Sequence, residues 1–230
     1  MTDTGQLVFD LPHLPALGAE DFLVSGSNQA ATEIVNRWPR WPQSVVVVVA
    51  PPHAGKTHLA NVWRLKSGAV RLEANALSES DVAALSPGSS AVVEDIQAGV
   101  ADERALFHLL NLARENKLSI LMTSRVAPGE LSIRLPDLRS RLRALPLVAI
   151  APPDTALLKA VLVKHFSDRQ LIVEPPTIGY IALRMERSME AAATIVAEID
   201  RVALASQRRV TRALAAEVLR AGEDGSAAAS

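Results

Sequence analysis

The sequence contains no cysteine and few aromatic residues: one tyrosine, three tryptophans and four phenylalanines among 230 residues. The absence of cysteine excludes disulfides, thiolate metal ligands and cysteine nucleophiles. No apolar run approaches the roughly 20 residues that a membrane-spanning helix needs. The polar start, MTDTGQ, lacks the basic and apolar regions of a secretion signal. We therefore expect a soluble cytoplasmic protein with no membrane segment.

Neither sign of charge is in excess, because 24 basic and 25 acidic side chains give a formal net charge of -1. Proteins that hold nucleic acid mainly through their own charge usually carry a clear basic excess. We therefore expect any connection to DNA to be indirect. A content of 49% apolar and 21% charged residues also excludes a disordered chain, and the length suits one domain or two small ones.

Short β-branched and aliphatic runs predict five strands in the first two thirds of the chain, at 45–50, 69–74, 91–94, 119–122 and 147–150. Between them lie segments with helical spacing, most clearly Leu106, Leu109, Leu110 and Ala113. Strands that alternate with helices favour an α/β fold with a mainly parallel sheet. The unbroken valines 45–49 predict a central strand that is covered on both faces.

After Pro152-Pro153 the strand pattern stops and helical segments follow, at about 154–167, 177–187, 188–207 and 212–221. Asp154, Thr177 and Thr211 are the predicted N-caps. We expect a small helical lid, with an apolar stripe on its longest helix. The predicted organisation is an N-terminal segment 1–22, an α/β domain 23–152, a lid 153–222 and a flexible tail 223–230.

A phosphate-binding loop is predicted between the central strand and the next helix, which we expect to begin at His58. Gly55 lets the backbone approach an anion, Lys56 supplies a cation and Thr57 offers a hydroxyl to Mg²⁺. The alternative is an ordinary strand-to-helix turn. The predicted nucleotide-binding residues are Ala50, Pro51, Pro52, His53, Ala54, Gly55, Lys56, Thr57 and His58.

This loop departs from the usual pattern at two positions, because Ala50 and His53 stand where glycine is common. A Cβ atom narrows the allowed backbone angles and the room for phosphate. We therefore expect an altered affinity, or an altered choice between diphosphate and triphosphate. The imidazole of His53 is expected to face solvent rather than to act in catalysis.

Two acidic residues, Glu94 and Asp95, follow the third predicted strand, at the edge where α/β proteins bind ligands. Together with Thr57 they are the predicted Mg²⁺ ligands, and one carboxylate would activate water. Active ATPases commonly place Asp before Glu, whereas the order here is reversed. Because catalytic geometry is sensitive to shifts of about 1 Å, we expect slow intrinsic hydrolysis. A strand end with two solvated acids is the alternative.

Five segments of the chain resemble the AAA+ ATPases, and most closely the branch related to the replication initiator DnaA. They are PPHAGKTHLA, VVEDIQ, ILMTSR, LPDLRSRLR and LRMERSMEAAATIVAEIDRVAL. The resemblance implies the sheet order 5-1-4-3-2 and an adenine nucleotide, ADP or ATP, bound with Mg²⁺. It also implies that Thr123 and Ser124 form the sensor 1 region, that Arg141 is an arginine finger and that Arg187 is the sensor 2 arginine. Spacing alone would favour a solvated basic turn for Arg139, Arg141 and Arg143.

The N-terminus resembles the sliding-clamp-binding peptide found in regulatory members of this branch. Gln6 would make polar contacts, and Leu7, Phe9 and Leu11 would be apolar anchors. An amphipathic strand is the alternative. The chain ends soon after the lid, so we expect no DNA-binding helix-turn-helix domain of the kind that initiators carry.

These features together imply a negative regulator of replication initiation, with DnaA and the DNA polymerase III sliding clamp (β subunit) as partners. The regulator would touch DNA only indirectly, through the clamp, and would present Arg141 to ATP held by DnaA. Its own ATP hydrolysis would be weak, so the sequence does not decide whether the protein is itself an enzyme. Monomer and homodimer are both compatible with the sequence. The alternative is a self-sufficient AAA+ ATPase that remodels or loads a partner.

Overall fold

A computed structural model describes the backbone of residues 23–227 and the side chains of residues 23–222. Its α/β part runs α1 (Gln29–Arg37), β1 (Val45–Val49), α2 (Lys56–Ser67), β2 (Val70–Glu73), α3 (Glu79–Ala83), β3 (Ser90–Glu94), α4 (Glu103–Glu115), β4 (Ser119–Ser124), α5 (Pro136–Arg143) and β5 (Leu147–Ala149). Four helices follow: α6 (Thr155–Asp168), α7 (Pro175–Ala182), α8 (Met189–Ser206) and α9 (Arg212–Ala227).

The five strands form one parallel sheet in the order β2-β3-β4-β1-β5, which confirms the predicted order. β1 is central, with Val47 paired to Met122 of β4 and to Leu147 of β5. Val47 packs into the core beneath α3, α4 and α5, whereas Val48 packs against α1 and α2. The valine run is therefore covered on both faces, as a central parallel strand requires.

Helix α2, which follows the phosphate-binding loop, is anchored by Trp63. This side chain is fully buried, stacks on Trp41 at a ring-centroid distance of 5.0 Å and meets the edge of Trp38 at 6.2 Å. Helix α4 is held on the opposite face of the sheet by its predicted apolar face: Leu106, Leu109, Leu110 and Ala113 are all buried. Both helices are thereby fixed relative to the strand ends that form the site.

Helices α6 to α9 pack around an apolar cluster of their own, which includes Leu162, Phe166 and Ile181. The predicted stripe on α8 faces this cluster, with Val196, Ile199 and Ala203 buried and Ile195 and Val202 partly buried. Asp154 and Thr211 are N-caps as predicted, since they accept hydrogen bonds from the N–H groups of Leu157 (2.7 Å) and Leu214 (3.4 Å). No helix in the described part of the chain is both long and apolar enough to cross a membrane.

The predicted N-cap at Thr177 is wrong. Helix α7 begins at Pro175, with Glu174 before it, and ends at Ala182. The first positions of a helix need no N–H donor and suit the fixed φ of proline, so the helix begins at Pro175-Pro176 and Thr177 lies inside it. Helix α9 also continues to Ala227, into the predicted tail 223–230.

Candidate functional site

The predicted phosphate-binding loop connects the carboxyl end of β1 to α2, and α2 begins at Lys56, two residues before the predicted start. Gly55 precedes the helix with φ +92° and provides no side-chain cap, so the first N–H groups of α2 are open to an anion. The loop lines a cavity of about 320 Å³. The lining residues are Pro51, Pro52, His53, Gly55, Lys56, Thr57, His58, Asp95, Arg125, Met189 and Glu190.

Ala50 and Ala54 belong to the predicted nucleotide-binding set but are buried in the core with α1 and α2. The N–H of Ala50 donates to the carbonyl of Ser124 (3.0 Å), which extends the pairing of β1 with β4. Ala50 therefore belongs to the core and does not line the cavity.

His53 has a left-handed backbone with φ +58°, a conformation that costs a residue with a Cβ roughly 1–2 kcal/mol relative to the right-handed form. Its carbonyl accepts a hydrogen bond from the N–H of Met189 (3.0 Å), at the start of α8. Its half-exposed imidazole pairs with the carboxylate of Glu190. Sequence reasoning expected a solvent-facing imidazole, whereas the structure joins the loop to the lid through this residue.

Lys56 is 8% exposed, and its Nζ donates to Oδ1 of Asp95 at 2.6 Å. Gln97 donates to the same oxygen at 3.1 Å. Burial opposes ionisation of Asp95, but the hydrogen bonds from Lys56 and Gln97 outweigh it and lower the pKa of Asp95. Asp95 itself has φ +56°, which turns the chain at the end of β3. The ionised carboxylate of Asp95 therefore holds the ammonium of Lys56 at the cavity. A phosphate group that entered the cavity would contact the same ammonium.

Glu94 has a different environment from its neighbour. It is 5% exposed, and its Oε1 accepts a hydrogen bond from Nε of Arg71 on β2 at 2.8 Å. Burial raises the pKa of Glu94, an effect that Arg71 partly offsets. Of the two predicted metal-ligating acids, only Asp95 lines the cavity. In this structure Glu94 pairs with Arg71 and Asp95 pairs with Lys56. Thr57, the third predicted metal ligand, lies in the first turn of α2.

The raised pKa of Glu94 predicts a pH-dependent stability difference. Because the folded state binds this proton more tightly than the unfolded state, Glu94 stabilises the fold most below about pH 4.5, its ordinary pKa. That contribution is lost as the pH rises through the folded pKa. We expect the melting temperature of Glu94→Gln, relative to the unaltered protein, to increase from pH 4 to pH 8. Thermal unfolding across this range measures it, and a difference independent of pH would contradict it.

The two predicted sensor 1 residues are fully buried at the end of β4. Oγ1 of Thr123 accepts a hydrogen bond from the backbone N–H of Asp95 (2.9 Å). Oγ of Ser124 accepts one from Val126 (3.3 Å). The structure thus uses Thr123 to hold the turned backbone of Asp95. Arg125, the next residue, lines the cavity instead.

Arg187, the predicted sensor 2 arginine, lies just before α8. Its guanidinium donates to the carbonyl of Pro153 (3.1 Å) and to Oγ1 of Thr155 (3.4 Å), at the start of α6. The lid residues that line the cavity are Met189 and Glu190. In this arrangement Arg187 joins two lid segments, and it precedes Met189 by two residues and Glu190 by three.

Arg141 lies at the opposite edge of the sheet from the phosphate-binding loop. It lines a groove of about 570 Å³ with Ser44 and Val45, at the amino end of β1, and with Arg114 of α4. Its guanidinium lies over the ring of Phe107, 4.7 Å from the centroid. The five residues of β1 span roughly 16 Å, so the chain's own cavity is beyond the reach of Arg141.

Sequence reasoning missed three residues of this region: Arg71, Arg125 and Glu190. Arg71 lies on another strand and meets Glu94 only because β2 pairs with β3. Arg125 carried a weak signal, because it directly follows the predicted sensor pair. Glu190 lies in the lid and carried no signal, since its contact with His53 joins residues 137 positions apart.

No protein-family model matches the chain. Among curated proteins the chain is similar to the chromosomal replication initiator protein DnaA of Cutibacterium acnes, with 26% identity over 201 residues. The match covers 86% of this chain and 39% of that protein. The chain thus spans about two fifths of the length of this relative.

Solved structures show the same architecture. Domain III of DnaA from Thermotoga maritima has a TM-score of 0.73 at 16% identity, over 91% of this chain and 98% of that one. AMPPCP-bound DnaA from Aquifex aeolicus has a TM-score of 0.66 at 19% identity, over 81% and 66%. The Holliday junction branch migration motor RuvB of Thermotoga maritima has 0.65 at 18%, over 85% and 66%. The chain has a DnaA-like AAA+ fold.

Proposed function

We propose that this protein is a negative regulator of replication initiation of the Hda type, the regulatory inactivator of DnaA. It binds the DNA-loaded sliding clamp and stimulates hydrolysis of ATP bound to DnaA. The observation that supports this most directly is the position of Arg141. A guanidinium at the amino edge of the sheet, remote from the chain's own cavity, suits a nucleotide that a neighbouring molecule holds.

The chemistry proposed for Arg141 is electrostatic. Phosphoryl transfer spreads negative charge over the oxygens of the transferred group, and a guanidinium stabilises this charge through two N–H donors. Phe107 holds the guanidinium by a cation–π contact, so that less side-chain freedom is lost when it meets the partner's phosphate. Arg114, in the same groove, adds positive charge facing that neighbour.

The phosphate-binding loop supports binding of an adenine nucleotide by this chain. The open N–H groups of α2, the left-handed Gly55 and the cation of Lys56 together match the needs of a phosphate group. The DnaA of Aquifex aeolicus with this fold binds AMPPCP. Thr57 and Asp95 would hold Mg²⁺ beside the phosphates, and the metal would neutralise their charge.

The alternative function is a self-sufficient AAA+ ATPase that remodels or loads a partner. Such an enzyme needs a carboxylate free to activate water, whereas Glu94 is bound by Arg71 and Asp95 by Lys56. Purified protein with ATP and Mg²⁺, without clamp or DnaA, distinguishes the two functions. Slow turnover supports the regulator, and rapid turnover supports the motor.

The proposed clamp-binding peptide, Gln6, Leu7, Phe9 and Leu11, lies outside the described residues. We expect the double variant Gln6→Ala/Leu7→Ala to abolish clamp binding, because it removes a polar contact and an apolar anchor. Nucleotide affinity and melting temperature should stay within error of the unaltered protein, because residues 23–222 already form the packed cores. Surface plasmon resonance with immobilised clamp tests this, and retained affinity would remove the peptide from the proposal.

The decisive experiment for the function is a reconstitution that measures hydrolysis of ATP bound to DnaA. It contains this protein, the clamp and DNA, and each component is omitted in turn. The proposal requires that hydrolysis depends on all three. Hydrolysis that does not change when this protein is omitted would refute it.

A further inference from the structure

The lid carries a cluster of positive charge that the proposed function does not use. Arg184, two residues after α7, and Arg212 at the start of α9 both place their guanidinium over the ring of Tyr180, at 4.0 and 4.7 Å from its centroid. Because both distances share one centroid, the two charges lie within about 9 Å of each other. Lys159 of α6 lies nearby, with its Cε 3.9 Å from the position that a Cβ would take at Gly179, the residue before Tyr180.

This cluster, Lys159, Arg184 and Arg212 around Tyr180, differs from three other basic residues of the lid. Arg169, Arg201 and Arg208 each form a salt bridge, with Asp200, Glu198 and Glu217 respectively. Among the side chains of residues 23–222, no carboxylate forms a salt bridge with any of the three cations of the cluster. All three are exposed. Like charges that lie close together without a salt-bridge partner repel one another, so an external anion would relieve that repulsion.

We propose that the Tyr180 cluster binds the phosphate backbone of DNA. Two guanidiniums and an ammonium match a polyanion with closely spaced charges, and the planar fork of arginine suits phosphate oxygens. An acidic peptide is the alternative occupant, and the experiment below distinguishes it from DNA. The expectation that DNA is contacted only through the clamp came from net charge, which does not describe a local cluster.

The inference rests on the proposed function for its setting, since a regulator bound to a clamp that encircles DNA works beside the duplex. The clamp would supply most of the tethering free energy. The Tyr180 cluster would add a weak, sequence-independent contact that orients the lid toward the duplex.

The test measures binding of the full-length protein to a fluorescein-labelled 30-base-pair duplex at several salt concentrations, without clamp or DnaA. The unaltered protein is compared with Arg184→Gln/Arg212→Gln. The control is Arg201→Gln/Arg208→Gln, which removes the same charge from salt-bridged arginines of the same lid. Each phosphate contact contributes about 0.9 to the slope of log affinity against log salt. We expect the first variant to reduce this slope by about 2 and the control to leave it unchanged.

Equal slopes for the unaltered protein and Arg184→Gln/Arg212→Gln would overturn the proposal. The proposal would also be wrong if the unaltered protein did not bind the duplex at about 20 mM salt, because phosphate contacts are strong at low salt. A polyglutamate peptide that binds through the two arginines while the duplex does not would assign the cluster to an acidic protein, and would also overturn it. Melting temperatures exclude unfolding as a cause. Because clamp and DnaA are absent, the result is independent of the Arg141 mechanism, which the reconstituted hydrolysis tests separately.

Discussion

Arg141→Ala is expected to abolish the stimulation of ATP hydrolysis on DnaA while folding, clamp binding and nucleotide binding are kept. In the proposed mechanism the guanidinium acts on phosphate held by a neighbour, and Arg141 lies remote from the chain's own cavity. Loss of an arginine finger in other nucleotide hydrolysis systems costs about 10³ to 10⁵ in rate. Single-turnover hydrolysis of labelled ATP on DnaA, with clamp and DNA present, measures the effect.

Two further variants make the Arg141 test specific. Arg141→Lys keeps the charge but loses the planar fork, so it should restore stimulation only in part. Arg139 is an exposed arginine of the same helix and does not line the groove. Arg139→Ala should therefore stimulate hydrolysis almost normally. Stimulation by Arg141→Ala equal to that of the unaltered protein would show that the proposed mechanism in trans is wrong.

Lys56→Ala is expected to weaken adenine nucleotide binding by about 10- to 100-fold, because a hydrogen bond to a charged group contributes about 1.5–3 kcal/mol. The structure adds a second cause. Without Lys56, the carboxylate of Asp95 keeps its charge at neutral pH and faces the incoming phosphates. Isothermal titration with ADP and with ATP measures the loss.

The double variant Lys56→Ala/Asp95→Asn separates the two causes. Removal of both charges should restore part of the nucleotide affinity, because the repulsion is gone, but not the part that the lysine itself provides. Lys56→Ala should lose stability, because the half-buried carboxylate of Asp95 then keeps the hydrogen bond from Gln97 but loses its ion pair. The double variant should recover part of this stability. Unchanged affinity in Lys56→Ala would mean that the loop does not bind phosphate as proposed.

The main fold features could be predicted from local patterns. Five valines in a row require burial on both faces, and only a central parallel strand offers this with helices on each side. The spacing of Leu106, Leu109 and Leu110 defines one apolar helix face whatever lies opposite. The start of α2 was placed two residues late, because the left-handed Gly55 lets the helix begin directly at Lys56.

The wrong N-cap at Thr177 also comes from a prediction based on neighbouring residues. Thr177 was interpreted as a cap from residue preferences alone. Proline also has a local preference for the first positions of a helix, where no N–H donor is needed, and α7 begins at Pro175. Two local preferences of similar size competed, and the proline preference applies here.

The amino-acid sequence by itself determined the α/β alternation, the strand-loop-helix position of Lys56 and the apolar stripe of α8, because each depends on residues close together along the chain. The helix that carries Arg141 was not among them, because spacing alone favoured a solvated basic turn there. Only the tertiary structure decided which partner each charged group has. Arg71 reaches Glu94 across a strand pair, Glu190 reaches His53 from the lid, and three helices bring the Tyr180 cluster together. The physical reason is that burial and charge pairing are set by distances in space, which local sequence patterns do not encode.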